Sequence, residues 1–543
     1  MALKSTIKNR TLFTGIILSL IYFYGIFSVY VAGTNKAFTE VAASQSMYEL
    51  TIARSRGTIY DCNLQPITNS GSTILAVAMP TAQALNHLKS IAVKDFDIES
   101  VIKDGRPYIA EVTMQSEYEG IEFFNVAKRY GEGMPCANLI GYTDAQGNGI
   151  CGIEQAFNEE LSLGGGAVTM EYTCDAIGRV IAGRDKDFTN HYSDSKNGIA
   201  LTIDKDLQEF CEESAKAITK GAIVVMSIPD GKIRAMVSCP DYSPNNLDDA
   251  LNNADAPLIN RATSAFAPGS VFKLVMTAAA LEGGIDYKEK YNCTGSTTTN
   301  GLTFTCFGNQ RHGSVNLHTA LQKSCNCYFI NLSKKLPVQN FTTMALNLGL
   351  GSKTELCPGF YSDSGNLTDQ SLLNSNPRAI SNFAIGQGDL TVTPVQMAGI
   401  VNAVASGGIY KTPSIYEGKV ESGNEITQSA ESSGGVPVME ELVALRLRSY
   451  MESAVKYGTA YKGDSPAYTA GAKTGTAETG VFVNDSQLLN YWYCGYMGPS
   501  GSPEYAVAIL NEGAAEGDNP TGDIFKKIGE YIYSDASNSQ HSP

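Results

Sequence analysis

Between Leu12 and Ala32 the chain runs 21 residues without a charged side chain, mostly Leu, Ile, Phe, Tyr and Val. As a helix that run spans about 32 Å, enough to cross the ~30 Å hydrocarbon core of a bilayer. Lys4, Lys8 and Arg10 precede it. The positive-inside rule then puts the N-terminus in the cytoplasm and everything after Gly33 outside. A cleaved signal peptide is the competing reading. Its apolar region is usually about 7–15 residues and ends in a small-x-small site. Here Tyr30-Val31-Ala32 puts a bulky residue where a small one is needed. No second charge-free run of this length follows. The chain reads as a single-pass protein of the cell membrane, with a short N-terminus (1–11), an anchor (12–32) and its bulk outside.

Composition narrows what that bulk can be. The 543 residues make roughly three and a half domain-equivalents of about 150 residues. Apolar residues are 43% and charged residues 17%, which supports a sizeable core and excludes wholesale disorder. The net charge of −15, with no long basic run, argues against nucleic acid as a partner. Twelve cysteines are too sparse for a disulfide scaffold yet numerous for an exported protein.

Residues 34–195 read as a first external region of mixed α/β character. Arg56-Gly57-Thr58-Ile59-Tyr60-Asp61-Cys62-Asn63 looks like a strand entering a turn. Gly152 to Leu161 reads as a short helix ended by Gly164-Gly165-Gly166. His191 to Gly198 reads as a hinge. The second region, 196–536, opens with a helix capped by Asp204. Gly221–Ile228 and Ile233–Ser238 form a predicted hairpin around Pro229-Asp230-Gly231-Lys232. Tyr491–Met497 and Tyr505–Leu510 read as strands, and Ile524–Ile532 as a final helix. Glu421–Pro437 is Ser/Gly-rich and reads as a surface loop, and 537–543 as a polar tail.

Three short motifs follow one another in the second region. Ser270-Val271-Phe272-Lys273 is weak as a bare pattern, since Ser-x-x-Lys also occurs at Ser5/Lys8, Ser100/Lys103, Ser193/Lys196 and Ser453/Lys456. Its context separates it. Pro268-Gly269 breaks the chain before it, and a long apolar helix, Val271 to Leu281, follows. Spacing of three puts Lys273 on the face of Ser270. A serine hydroxyl needs a base to become a nucleophile, and a lysine in a dry site can be neutral enough to serve.

The second motif is Ser324-Cys325-Asn326. Its hydroxyl can relay a proton, and its amide can hold a peptide carbonyl. The third is Lys473-Thr474-Gly475-Thr476, on a strand flanked by small residues. There Lys473, Thr474 and Thr476 suit a substrate carboxylate, and Gly475 allows close backbone approach. Backbone N–H groups of Ser270 and Thr476 could form an oxyanion hole. Each motif alone is common. Their conjunction in this order, each in its predicted context, is improbable as an accident.

With these motifs, Asn260-Arg261, His312-Gly313-Ser314-Val315, Ile385-Gly386-Gln387-Gly388 and Val392-Thr393-Pro394-Val395-Gln396, the sequence resembles the penicillin-binding proteins. The Arg56–Asp61 segment looks like the start of the pedestal of class B members. One departure is Leu64, where that motif usually has Gly. Nothing resembles the glycosyltransferase domain of class A members.

The resemblance implies an α+β multidomain chain. A serine β-lactamase/transpeptidase-like domain, an antiparallel sheet flanked by helices, would follow a mixed α/β pedestal and one transmembrane helix. It further implies a D,D-transpeptidase that cross-links peptidoglycan stem peptides, is acylated by β-lactams and works with a polytopic glycan polymerase. Catalysis would need no cofactor. Ser270 would attack the penultimate D-Ala carbonyl, with Lys273 as base and Ser324 as relay. Lys473 would depress the Lys273 pKa by like-charge repulsion. Asn326, Thr474 and Thr476 would position the substrate. Alternatives are a D,D-carboxypeptidase or β-lactamase on the same fold, or a largely scaffolding cell-wall component. No convincing water-activating Glu motif lies between Ser324 and Lys473.

Cys293, Cys306, His312 and Cys325 lie within 33 residues. Three thiolates and one imidazole suit a closed structural zinc site. A Cys293–Cys306 disulfide and unrelated small core residues stay open as alternatives. Cys327 lies beside the cluster, and the other eight cysteines show no pairing. His87, His191 and His541 read as surface residues without partners. His318 reads as part of the helix before Ser324, and Trp492, the one tryptophan, as a core residue.

Overall fold

The computed structural model describes residues 2–34, 46–163, 166–175, 177–181, 187–191, 196–430 and 434–534. Gly164 and Gly165 of the expected helix stop, residues 192–195 of the expected hinge, His541 and the polar tail lie outside these residues. Ala2–Thr34 is one continuous helix. Ile7–Thr34 within it is the one span, among the described residues, long and apolar enough to cross a membrane.

The chain divides into two compact units. The first comprises Met1–Ser55, Ser72–Ala127 and Gly165–Asp194, and the second Arg56–Gly71, Lys128–Gly164 and Ser195–Pro543. A contiguous 34–195 pedestal is therefore corrected. Two stretches of it belong with the catalytic region, for a physical reason. Glu154 is fully buried and binds both Arg56 (2.6 Å) and Arg129 (2.7 Å), and Tyr130 donates to it at 2.9 Å. Thr58–Tyr60 pairs in parallel with Gly198–Leu201, which extends a sheet through Tyr416–Glu421. Leu64 takes the positive φ (61°) expected of glycine. Asp61 closes the turn by accepting from the N–H groups of Asn63 and Gln65.

The first unit holds two three-stranded sheets, Met47–Arg54 with Ala167–Thr173 and Asp187–Asn190, and Gly71–Ala78 between Tyr108–Val112 and Ile121–Lys128. His87 is not the partnerless residue expected. It hydrogen-bonds Ser116 at 2.7 Å and stacks on Tyr118 at 4.1 Å.

The second unit is built on a five-stranded antiparallel sheet. The helix Lys205–Ala215 (α1) is capped by the Asp204 side chain, as its sequence position predicts. The strands are Gly221–Ser227 (β1), Ile233–Cys239 (β2), Thr469–Val483 (β3), Ser486–Gly498 (β4) and Tyr505–Ala514 (β5). Their order is β2-β1-β5-β4-β3, which leaves β3 at an edge. Every residue of β1 is buried, and its side chains alternate between two cores.

One core takes the helices Lys273–Glu282 (α2), Leu317–Gln322 (α3), Asn326–Leu332 (α4), Pro394–Ala405 (α5) and Glu441–Tyr457 (α6). All twelve residues of α5 are buried, in keeping with apolar residues spread all round it; its two polar side chains, Gln396 and Asn402, donate to backbone carbonyls. The other core takes α1 and Thr521–Ser534 (α7).

Two local expectations change. Gly152–Leu161 is not one helix but two short ones, Gly152–Ala156 and Asn158–Ser162, broken at Phe157. The Glu421–Pro437 loop contains a strand, Glu425–Ser429, that pairs with Tyr416–Glu421. Gly423 turns the chain between them with positive φ.

Candidate active site

Pro268-Gly269 brings the chain into a 3₁₀ turn, Gly269–Phe272, which carries Ser270 directly ahead of α2. Two close approaches hold this turn. Gly269 N–H donates to the Gly386 carbonyl at 2.9 Å, and the indole N–H of Trp492 donates to the Ala267 carbonyl at 2.9 Å. Trp492 is fully buried, as expected of a core residue. A Cβ on Gly386 would sit 1.9 Å from the Gly269 carbonyl oxygen, and one on Gly475 would sit 2.7 Å from that of Pro268. The glycines therefore let three segments pack backbone to backbone.

Ser270, Lys273, Ser324, Asn326 and Lys473 converge here. Lys273 is fully buried. Its Nζ lies 3.0 Å from Ser270 Oγ, 3.2 Å from Ser324 Oγ, 2.9 Å from the Ser324 carbonyl and 2.7 Å from Asn326 Oδ1. It also sits 5.5 Å from the Phe329 ring centroid. Burial lowers its pKa to about 8. The expected cause, repulsion by Lys473, is not what lowers it. Repulsion bears instead on Lys473, whose pKa is held well below the ordinary range by burial first and Lys273 second.

Ser324 joins α3 to α4 with φ +55°, a conformation uncommon outside glycine. This places its Oγ between the two lysines, 3.0 Å from Lys473 Nζ. Lys473 is turned inward and fully buried, with its second contact the Thr474 carbonyl at 2.7 Å. It does not reach out for a carboxylate. That half-exposed face of β3 belongs to Thr474 and Thr476, while Gly475 packs against the Ser270 turn.

Two further groups escaped sequence reasoning. The Asn326 amide donates to the Thr305 carbonyl at 3.0 Å, which sets its orientation. The Thr474 hydroxyl donates to Thr459 Oγ1 at 2.9 Å. The only local signal for Thr459 was its place after Gly458, at the end of α6.

Cys293, Cys306, His312 and Cys325 bring their donor atoms within 4.8 Å of one another. A tetrahedral zinc with Zn–S near 2.3 Å and Zn–N near 2.05 Å would space sulfurs by about 3.8 Å and sulfur from nitrogen by about 3.5 Å. The Sγ atoms of Cys293 and Cys306 are 3.7 Å apart and those of Cys306 and Cys325 3.9 Å. Cys293 Sγ is 3.5 Å from His312 Nδ1. Cys327 adds a further sulfur 3.5 Å from Cys306. All twelve cysteines are free thiols. His318 stays out of the cluster, on α3, stacked on Tyr450.

One serine and two buried lysines thus meet a second serine and an amide at the edge of an antiparallel sheet. The model of the penicillin-binding protein transpeptidase domain matches residues 221–530, and the chain belongs to that family. Stage V sporulation protein D of Bacillus subtilis is 26% identical over 96% of this chain and 83% of its own length. Peptidoglycan D,D-transpeptidase FtsI of Escherichia coli is 28% identical over 74% of this chain and 66% of its own. A solved structure showing coordination of polymerization and crosslinking by a peptidoglycan synthase complex aligns with a TM-score of 0.68. It is 21% identical and covers 98% of this chain and 99% of that one, a likeness of fold.

Proposed function

We infer that this protein is a peptidoglycan D,D-transpeptidase. One observation carries the reading: Ser270 Oγ lies 3.0 Å from the amine of a fully buried lysine that also reaches Ser324 and Asn326. Neutral Lys273 accepts the Ser270 proton as Oγ attacks the penultimate D-Ala carbonyl of a stem peptide. The carbonyl π electrons move to oxygen, where the Ser270 and Thr476 N–H groups form the oxyanion hole. On collapse the C–N bond breaks. Ser324, between both lysines, passes its proton to the departing D-Ala amine and takes in its place the one held by Lys273. An amine of a neighbouring stem peptide then attacks the acyl-serine and gives up a proton to Lys273; the ester C–O bond breaks, and Lys273 returns that proton to Ser270.

The helix Ile7–Thr34 anchors the chain as a single membrane pass, with the N-terminus cytoplasmic and the catalytic region outside. A glycan polymerase in the same membrane supplies the strands to be cross-linked. β-Lactams acylate Ser270. Full-length protein in detergent should label stably with a fluorescent penicillin, and Ser270→Ala should not. Folded wild-type protein that fails to label would overturn the reading. Rapid loss of label would assign a β-lactamase instead.

The donor set Cys293, Cys306, His312 and Cys325 fits a structural zinc ion. When bound, the ion ties the Cys293–Cys306 segment to Cys325, between Ser324 and Asn326. It supplies no reacting atom. Protein purified without chelator should hold one equivalent of zinc. Absence of metal, with a Cys293–Cys306 bridge found by mass mapping, would reject the site.

A further inference from the structure

β3 lies at the edge of its sheet, so an extended peptide can lie along it as an added strand. The Ser270 turn fixes where the reacting bond falls. A Cβ on Gly269 would sit 2.4 Å from the Thr476 carbonyl oxygen, so the nucleophile stands level with Thr476. The two directions from that point differ. Toward Thr474 the strand is tied across to the second motif. The Thr474 hydroxyl donates to Thr459 at 2.9 Å, and the Thr459 N–H donates to the Gln322 carbonyl at 3.2 Å, two residues before Ser324. Beyond Thr476 the strand is open, and Glu478, Val481, Phe482 and Val483 are exposed. Only one residue, the released D-Ala, lies on the C-terminal side of the bond that breaks. The rest of the stem lies on the other side, and the open end has room for it. The donor stem therefore runs past Glu478.

Pairing with β4 is regular as far as Glu478 and Leu489, so Glu478 shares the face of Thr474 and Thr476. It stands two residues, about 6.8 Å, beyond Thr476. The donor residue before D-Ala-D-Ala falls one residue, about 3.4 Å, beyond the reacting carbonyl, and its side chain can span the difference. Lys473 is buried among the catalytic groups and β4 carries no charge, so Glu478 is the one exposed charged residue of these two strands. Among the described residues nothing pairs with its carboxylate. Stem peptides that are cross-linked to one another are alike, so a donor also carries the amine that it could offer as an acceptor. We propose that Glu478 selects donors by charge, favouring a stem peptide with a protonated amine on the residue before D-Ala-D-Ala. The proposal rests on the transpeptidase reading.

The test uses benzylpenicillin, ampicillin and carbenicillin. They differ at one carbon of the acyl side chain, which carries hydrogen, an amine or a carboxylate. That carbon takes the place of the Cα before D-Ala-D-Ala. At pH 7 an α-amine with an ordinary pKa of about 7.7 is mostly protonated. Second-order acylation rate constants are measured on the full-length protein in detergent, and each is divided by that of benzylpenicillin. Glu478→Gln should lower the ampicillin ratio about threefold and raise the carbenicillin ratio about threefold, the worth of one exposed ion pair. Glu478→Lys should move both ratios further in the same directions. Ratios that match wild type in both variants would overturn the proposal. That includes the case where all three rates fall together, which would show a structural role. Ratios that move in the same direction as each other would overturn it too. If wild type is acylated by none of the three, the transpeptidase reading itself fails.

Discussion

Lys273 sets a pH profile for acylation. It is fully buried, and burial lowers its pKa to about 8. At pH 7 about 9% of such an amine is neutral, against ~0.04% for a lysine at its ordinary value near 10.4. Burial therefore raises the share of competent base roughly 200-fold. Protonated Lys273 has no lone pair for the Ser270 proton, so acylation should follow the neutral fraction. Between pH 6 and pH 8 the rate constant should climb about 50-fold, then level off within a further twofold by pH 9. Lys473 shares this site, so the midpoint belongs to the pair. The assay is the second-order rate constant for a fluorescent penicillin, taken at constant ionic strength across pH 6 to 10. A flat profile would show that Lys273 is not the titrating base. A rate that keeps rising tenfold per pH unit up to pH 10 would show a lysine that burial does not perturb.

Other outcomes follow from the packing. Gly386→Ala should slow acylation by at least about tenfold, because its Cβ would sit 1.9 Å from the Gly269 carbonyl oxygen next to Ser270. Glu154→Gln should destabilise the protein by about 3–5 kcal/mol in urea unfolding, since it leaves Arg56 and Arg129 without their shared anion. The exposed Glu159→Gln should change stability by less than about 0.5 kcal/mol. Burial pushes the Glu154 pKa up, but Arg129 and Arg56 outweigh it and hold it below the ordinary value. Its stabilisation is therefore fully present above about pH 4.3, and is lost as pH falls through the depressed folded value. Trp492 is the one tryptophan and is fully buried, so its emission should shift to longer wavelength on unfolding in the same experiment.

Much of the site was legible because it is written in local spacing. Ser270 and Lys273 are three residues apart and lie on one face of a turn, whatever surrounds them. Ser324 and Asn326 flank one residue, and Lys473 to Thr476 occupy one strand. The membrane span was legible for the same reason, since hydrophobic length is counted along the chain. The first-region boundary was not. Arg56 meets Glu154 across 98 residues, and no feature near either residue announces the other.

The sequence alone determined which chemical groups are present and in what order: a nucleophile, two amines, an amide, three thiols and an imidazole. Only the tertiary structure decided what those groups do. It buried Lys273 and so lowered its pKa, and it turned Lys473 inward, away from the half-exposed face that carries Thr474 and Thr476. It also brought Thr459 to Thr474 and closed four metal-type donors to within 4.8 Å. The reason is that desolvation and hydrogen-bond geometry depend on neighbours in space, and those neighbours come from segments far apart in the chain.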